Sequence, residues 1–127
     1  MAIKLVLVID DEEEVCRVIK EGLERIGDFA VISANNGKDG LRMAKRSKPD
    51  LVLLDIDMPS MSGFRVLESL KEDSKTFPIP VVMLTAHSEA AYKTSAARLY
   101  SEDYITKPVS IVDLKVKIET ILARFAI

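Results

Sequence analysis

Asp10-Asp11, Asp55 and Lys107 stand far apart in the chain, yet each comes where a short apolar run ends. A carboxylate pair, a lone carboxylate and a lysine, once brought together, could bind a divalent cation and carry a phosphoryl group. Open α/β sheets converge polar groups on a ligand at their strand ends, which is where all of these residues fall. Taken alone, Asp10 and Asp11 read as acids opening a helix, like Glu12, Glu13 and Glu14, and complement its dipole. Asp55, after Leu51-Val52-Leu53-Leu54, changes that reading. Three carboxylates in one place repel one another, and a bound dication relieves the repulsion. Magnesium suits such a site, because it takes one or two carboxylates, several waters and a phosphate. Lys107 lies between Thr106 and Pro108 and is a compact charge suited to a carboxylate and then to a phosphoryl oxygen. Thr85, closing the run from Ile79 to Leu84, could donate its hydroxyl to the same oxygen; in isolation it reads as a strand-end cap.

The elements that must hold these residues alternate along the chain. Strands are expected at Lys4 to Ile9, Phe29 to Ser33, Leu51 to Leu54, Ile79 to Leu84 and Asp103 to Thr106. Helices are expected at Glu12 to Ile26, Lys38 to Arg46, Phe64 to Glu72, Ser88 to Leu99 and Ile111 to Arg124. The first carries a stripe of Val15, Val18, Ile19, Leu23 and Ile26, and the last turns Ile111, Leu114, Ile118, Ile121, Leu122 and Phe125 to the core. Gly40 weakens the second helix by about 1 kcal/mol relative to Ala. Strands that are apolar throughout, rather than alternating, must be covered on both faces. The pattern predicts an α/β fold, a parallel sheet with five helices distributed over its two faces by right-handed crossovers. Strand order does not follow from periodicity.

With 127 residues the chain makes a single domain, residues 1–127, with room for a real core. Its 48% hydrophobic and 30% charged residues are those of a soluble globular protein. A net charge of −2 and scattered basic residues give no footprint for direct nucleic-acid binding. The first apolar run is too short to span a bilayer and five acidic residues follow it, so a cytoplasmic location is expected. Cys16, the sole cysteine, excludes an internal disulfide and reads as a partly buried structural thiol.

Asp10-Asp11 after a strand, Leu54-Asp55-Ile56-Asp57-Met58-Pro59, Thr85-Ala86 and Tyr104-Ile105-Thr106-Lys107-Pro108 together resemble the receiver domain of two-component response regulators, from about Lys4 to Arg124. The resemblance implies a flavodoxin-like, doubly wound sheet of order 2-1-3-4-5. It implies that Asp55 accepts a phosphoryl group from a partner sensor histidine kinase or histidine phosphotransfer protein. Mg²⁺ would be held by Asp11, Asp55 and the backbone carbonyl of Asp57, with Asp10 acting chiefly through a water. Lys107 and Thr85 would contact the phosphoryl group, and Tyr104 would be the aromatic switch that turns inward as Thr85 moves. The output would be a shift in the face built from residues near 88 to 120, read by a downstream protein or output domain. Such a chain is not an enzyme in the ordinary sense; it catalyses only its own phosphorylation and slow dephosphorylation. It would be a monomer or a dimer promoted by phosphorylation.

Ser62 stands where that family often has an acid, Tyr100-Ser101 replaces a common Gly-Ala, and Asp57 adds a carboxylate near the acceptor, where it is expected to modulate phosphoryl lifetime. His87, the only histidine, reads as an exposed loop residue, and Tyr92 and Tyr100 as surface or interface aromatics. Two other functions compete. One is a receiver-like interaction module that works without phosphorylation, which would have no need of Asp11, Asp55, Thr85 and Lys107 together. The other is a small phosphohydrolase with an Asp nucleophile, since Asp55-Ile56-Asp57 resembles the Asp-x-Asp pair of haloacid-dehalogenase-type phosphatases. That family usually has Thr where this chain has Pro59, and a cap over its pocket.

Overall fold

A computed structural model describes residues 2–86 and 100–125. Five strands, β1 (Lys4–Ile9), β2 (Phe29–Ala34), β3 (Leu51–Asp55), β4 (Val81–Thr85) and β5 (Asp103–Thr106), form one sheet. All neighbours are parallel, in the order β2-β1-β3-β4-β5. Among the described residues the helices are α1 (Glu13–Ile26), α2 (Gly37–Ser47), α3 (Gly63–Glu72) and α4 (Ile111–Phe125). The helix expected at residues 88–99, with Tyr92, and the loop residue His87 lie outside the described residues.

Alternate residues of each strand serve opposite faces, so the sheet divides the core in two. Val6, Val8, Leu51, Leu53, Val82 and Leu84 pack against α1 and α4 through Ile19, Leu23, Leu114 and Ile118. Leu7, Ile9, Val52, Leu54 and Met83 face the other way, toward Ala44 of α2 and Val66, Leu67 and Leu70 of α3. Burial on both sides is why the strands are apolar throughout. Gly40 has a reason to sit inside α2. A Cβ there would lie 2.6 Å from Ile9 Cδ1, so the glycine lets the helix settle directly on β1.

Three apolar residues expected in the core are outside it. Val18 and Ile26 on α1 and Phe125 at the end of α4 are exposed. The helical stripe is wider in sequence than the surface it covers, and helix ends extend past the sheet. Pro80 precedes β4 rather than entering it, and its carbonyl accepts the Val52 N–H at 3.0 Å. Cys16 is fully rather than partly buried. Its thiol is held protonated, pushed up to about 11 by burial and then by the Asp10 carboxylate.

Both sheet edges are covered in the same way. On β2 the outward N–H of Val31 donates to Glu24 Oε2 at 2.9 Å, and its carbonyl accepts from Lys20 Nζ at 3.0 Å. On β5 the Tyr104 N–H donates to Asp103 Oδ1 at 2.8 Å and its carbonyl accepts from Lys117 Nζ at 2.9 Å. The capping charges pair with each other, Lys20 with Glu24 at 2.9 Å and Lys117 with Asp103 at 3.2 Å.

Candidate functional site

Strand register builds the site. Ile9 is level with Leu54, so the next residues, Asp10 and Asp55, are neighbours across β1 and β3. Asp10 prolongs the ladder, its N–H donating to Ala34 O at 3.1 Å. Asp55 is itself in β3, level with Leu84, and Thr85 is level with Thr106. The Lys107 N–H then donates to the Thr85 carbonyl at 2.8 Å. One row along the carboxyl ends of four strands therefore carries Asp10, Asp55, Thr85 and Lys107.

Asp10, Asp55 and Thr85 are buried, whereas Asp11 and Asp57 are exposed beside them. Carboxylate oxygens of Asp10, Asp11 and Asp55 lie within 4.8 Å of one another. Lys107 Nζ is 2.8 Å from Asp10 Oδ2, 3.0 Å from Glu12 Oε1 and 3.3 Å from Asp55 Oδ1. Two amides orient the acids from the loops. Glu12 N–H donates to Asp10 Oδ1 at 2.9 Å, and Asp57 N–H to Asp55 Oδ1 at 3.4 Å. Gly63, the first residue of α3, donates its N–H to Ile56 O at 2.9 Å and so brings that helix against the end of β3.

The electrostatics are those of a crowded anionic pocket. Burial, and then the neighbouring Asp10 carboxylate, push Asp55 up to about 7 against the pull of Lys107. Burial also raises Asp10, with Lys107 and the Glu12 amide opposing it. For Lys107 burial disfavours the ammonium, but Asp10 and Glu12 outweigh it and hold the group above its ordinary range.

Among the described residues, Asp55 Oδ2 is a buried carboxylate oxygen that accepts no hydrogen bond, and Asp10 Oδ2 has only the Lys107 ammonium, at 2.8 Å. Buried polar atoms normally have partners, and an orphaned oxygen calls for a proton, a water or an ion. One such oxygen, three carboxylates within reach of one another and one ammonium shared among them fit a hard divalent cation. Mg²⁺ added to metal-free protein should therefore raise its melting temperature, by the equivalent of about 2.7 kcal/mol at a hundredfold excess over Kd. A thermal-shift titration that is flat up to tens of millimolar would show that the cluster does not hold the ion.

Asp10, Asp11, Asp55, Asp57, Thr85 and Lys107 all fall at this sheet edge. Tyr104 is half-buried on β5, against the α2–α3 side of the core, with Lys117 Nζ 5.4 Å from its ring centre. Ser62 caps α3, accepting from the Arg65 N–H at 3.4 Å, and Tyr100 is exposed. Glu12 is the residue that sequence reasoning passes over. It reads there as one more acid of the first turn, but it stands at the N-cap of α1 and its side chain goes to Lys107. A glutamate where Ser, Thr, Asp or Asn is preferred was the available signal.

The family model described as the response regulator receiver domain matches residues 6–119. The chain is 38% identical to the alkaline phosphatase synthesis transcriptional regulatory protein PhoP of Bacillus subtilis, over 95% of this chain and 49% of that protein. It is 36% identical to Protein PilH of Pseudomonas aeruginosa, over 93% of this chain and 97% of PilH. The chain spans about half the length of the first of these and of several other curated relatives. Among solved structures it is similar to the N-terminal domain of a response regulator receiver protein from Methanoculleus marisnigri. The TM-score there is 0.76 and the identity 39%, with 96% of this chain and 98% of that one covered. With the sheet order, the acidic edge and these matches in agreement, the chain belongs to the response regulator receiver domain family, whose members are signalling domains rather than classical enzymes.

Proposed function

We propose that residues 1–127 form one receiver domain that works as a phosphorylation-dependent switch in a two-component system, with Asp55 as the phosphoacceptor. The observation that carries this reading is Asp55 itself. It is a buried carboxylate at a strand end with one oxygen unpartnered among the described residues, Lys107 at 3.3 Å and two further acids close by. Phosphoryl transfer asks a protein for positioning and charge neutralisation more than for covalent work. An Asp55 oxygen attacks phosphorus, the bond from phosphorus to a partner's histidine nitrogen breaks, and its electron pair leaves with the imidazole.

Asp11, Asp55 and the Asp57 carbonyl would hold Mg²⁺, with Asp10 acting chiefly through a water. The ion would supply charge neutralisation on the phosphoryl oxygens. Lys107 supplies a second positive charge, and Thr85 offers its hydroxyl at the end of β4. The added group carries a charge of about −2 and strong acceptor oxygens, enough to bias nearby elements between two arrangements. Thr85 and Tyr104 are the residues through which that bias would reach β5 and α4.

A sensor histidine kinase or histidine phosphotransfer protein would be the donor. A groove of about 490 Å³ between α1 and the loop after β5 is lined by Val15, Val18, Pro108 and Val109 together with Glu12 and Lys107 of the site. Exposed Val18 thus becomes intelligible as part of a surface for a donor's apolar face. The exposed face of α4 with β5 would serve a downstream protein or output domain. The proposed place of work is the cytoplasm; none of the helices in the described residues is long and apolar enough to cross a membrane.

The test is intact mass after incubation with Mg²⁺ and acetyl phosphate, beside an Asp55→Asn control. One phosphoryl group on the parent, labile to hydroxylamine, and none on the control is the expected result. A folded, Mg²⁺-binding parent that gains no mass would refute the phosphoacceptor role and leave an interaction module.

A further inference from the structure

Helix α1 starts without the cap that its first position calls for. An N-cap is normally Ser, Thr, Asp or Asn, whose short side chain accepts an amide of the first turn. Here it is Glu12, with φ −87° and ψ 105°, and its side chain makes no capping hydrogen bond. That side chain reaches across 95 positions of sequence to accept a hydrogen bond from Lys107 Nζ at 3.0 Å. A local preference has given way to a distant contact at a reactive site, and such conflicts between levels tend to mark function.

Lysine has three N–H donors, and Lys107 has three carboxylates around it: Asp10 at 2.8 Å, Glu12 at 3.0 Å and Asp55 at 3.3 Å. The three are not equivalent. The side chains of Asp10 and Asp55 are buried and belong to the acidic cluster, whereas that of Glu12 is 59% exposed and lies outside it. A dication among Asp10, Asp11 and Asp55 meets the ammonium as a like charge drawing on the same carboxylates. Lys107 must then yield them, yet stay close enough to reach an incoming phosphoryl oxygen. Glu12 is the anion on which it can do so.

We propose that Glu12 is a positioning residue: it is the seat that Lys107 keeps when a cation, and then a phosphoryl group, take over Asp10 and Asp55. The second half of this statement rests on the phosphoacceptor reading; the first half does not.

The test is a double-mutant cycle of Glu12→Ser and Lys107→Met, read first as Mg²⁺ affinity from thermal-shift titrations. Serine suits the N-cap, so the Glu12→Ser chain should melt no lower than the parent without metal, which separates the effect from loss of fold. With Lys107 present, Glu12→Ser should weaken Mg²⁺ binding about fivefold, and in the Lys107→Met background by less than about twofold. Equal weakening in both backgrounds would mean that Glu12 acts by charge alone, and no weakening in either would mean that it does not act; both overturn the proposal. So does a parent without Mg²⁺ affinity.

The second readout is the rate of phosphoryl uptake from acetyl phosphate at saturating Mg²⁺. Removing a mere surface anion should speed the approach of this anionic donor. Removing the seat should slow uptake several-fold, so the sign decides, and acceleration counts against the seat. Should the parent bind Mg²⁺ and take no phosphoryl group, the phosphoacceptor reading fails while the Mg²⁺ cycle still judges the seat.

Discussion

Metal-free Asp55→Asn protein should be more stable than the parent at pH 8, by about 2 kcal/mol, with the difference vanishing toward pH 4. The unfolded chain releases the Asp55 proton near its ordinary value of 3.8, whereas the folded protein holds it up to about 7. Between those values the folded state binds more protons than the unfolded one, so stability falls as pH rises. The loss is complete once pH passes the folded value. A gap of about 3 pKa units sets an upper bound of about 4 kcal/mol. Asn cannot ionise and escapes the loss; the attraction to Lys107 at 3.3 Å is already contained in the raised value, and relaxation and water around the buried charge bring the expected gain down to about half. Lys107 does not disturb this window, because its ordinary value of 10.5 in the unfolded chain and its raised value in the folded one keep it charged in both states. Denaturant melts of both proteins at pH 5, 6, 7 and 8 in chelator would check it. Parallel curves, or a parent that gains stability from pH 5 to 8 relative to the variant, would contradict the crowded-anion account. Mg²⁺ at high concentration should reverse the order at pH 8, because the ion rewards the carboxylate that the variant lacks.

Gly63→Ala should cost about 3 kcal/mol or more, which is large for one methyl group. A Cβ at that position would lie 2.2 Å from the Asp55 carbonyl oxygen, 2.9 Å from its carbonyl carbon and 2.8 Å from Ile56 Cα. All three are backbone atoms at the end of a buried strand, so no side chain can swing away to make room. The first turn of α3 must retreat, which stretches the Gly63 to Ile56 hydrogen bond and tilts the strand end that carries Asp55. Contrast Gly40, where the obstacle is the Ile9 side chain, with Cδ1, Cγ1 and Cγ2 at 2.6, 2.8 and 2.9 Å, so that a companion Ile9→Ala change makes the room that no side-chain change can make at Gly63. Chemical denaturation gives the stability, and Mg²⁺ titration of the folded fraction reports the displaced carboxylate. A Gly63→Ala chain as stable as the parent would mean that the α3 approach is looser than its 2.9 Å hydrogen bond implies.

Much of this was legible in the chain because of one simplification: a strand buried on both faces is apolar throughout, so β1, β3 and β4 announce their ends by the first polar residue. Asp10, Asp55 and Thr85 are those residues, which is why the site could be read before the fold. Register could not be read. That Ile9 is level with Leu54, and so Asp10 beside Asp55, is fixed by which strands are neighbours, a long-range outcome that periodicity does not encode. The stripe on α1 is overread at Val18 and Ile26, since hydrophobicity marks a surface that wants covering without saying what covers it. Glu12 escapes notice for the opposite reason. Its local context, an acid at a helix start, has an adequate local explanation, and its partner is Lys107 at the far end of the chain.

The charge pairs at the sheet margins bear on how this domain can associate. Val31 and Tyr104, the outward-facing residues capped on β2 and β5, each have both main-chain groups already engaged by an acid and a lysine. An exposed margin would be a template for a strand from another molecule, the route to domain swapping and fibres. Here an incoming strand would first have to displace a salt-bridged pair at either side. Recognition is thereby directed to helical surfaces and loops, and a crowded population of identical chains is kept from zipping together through their backbones.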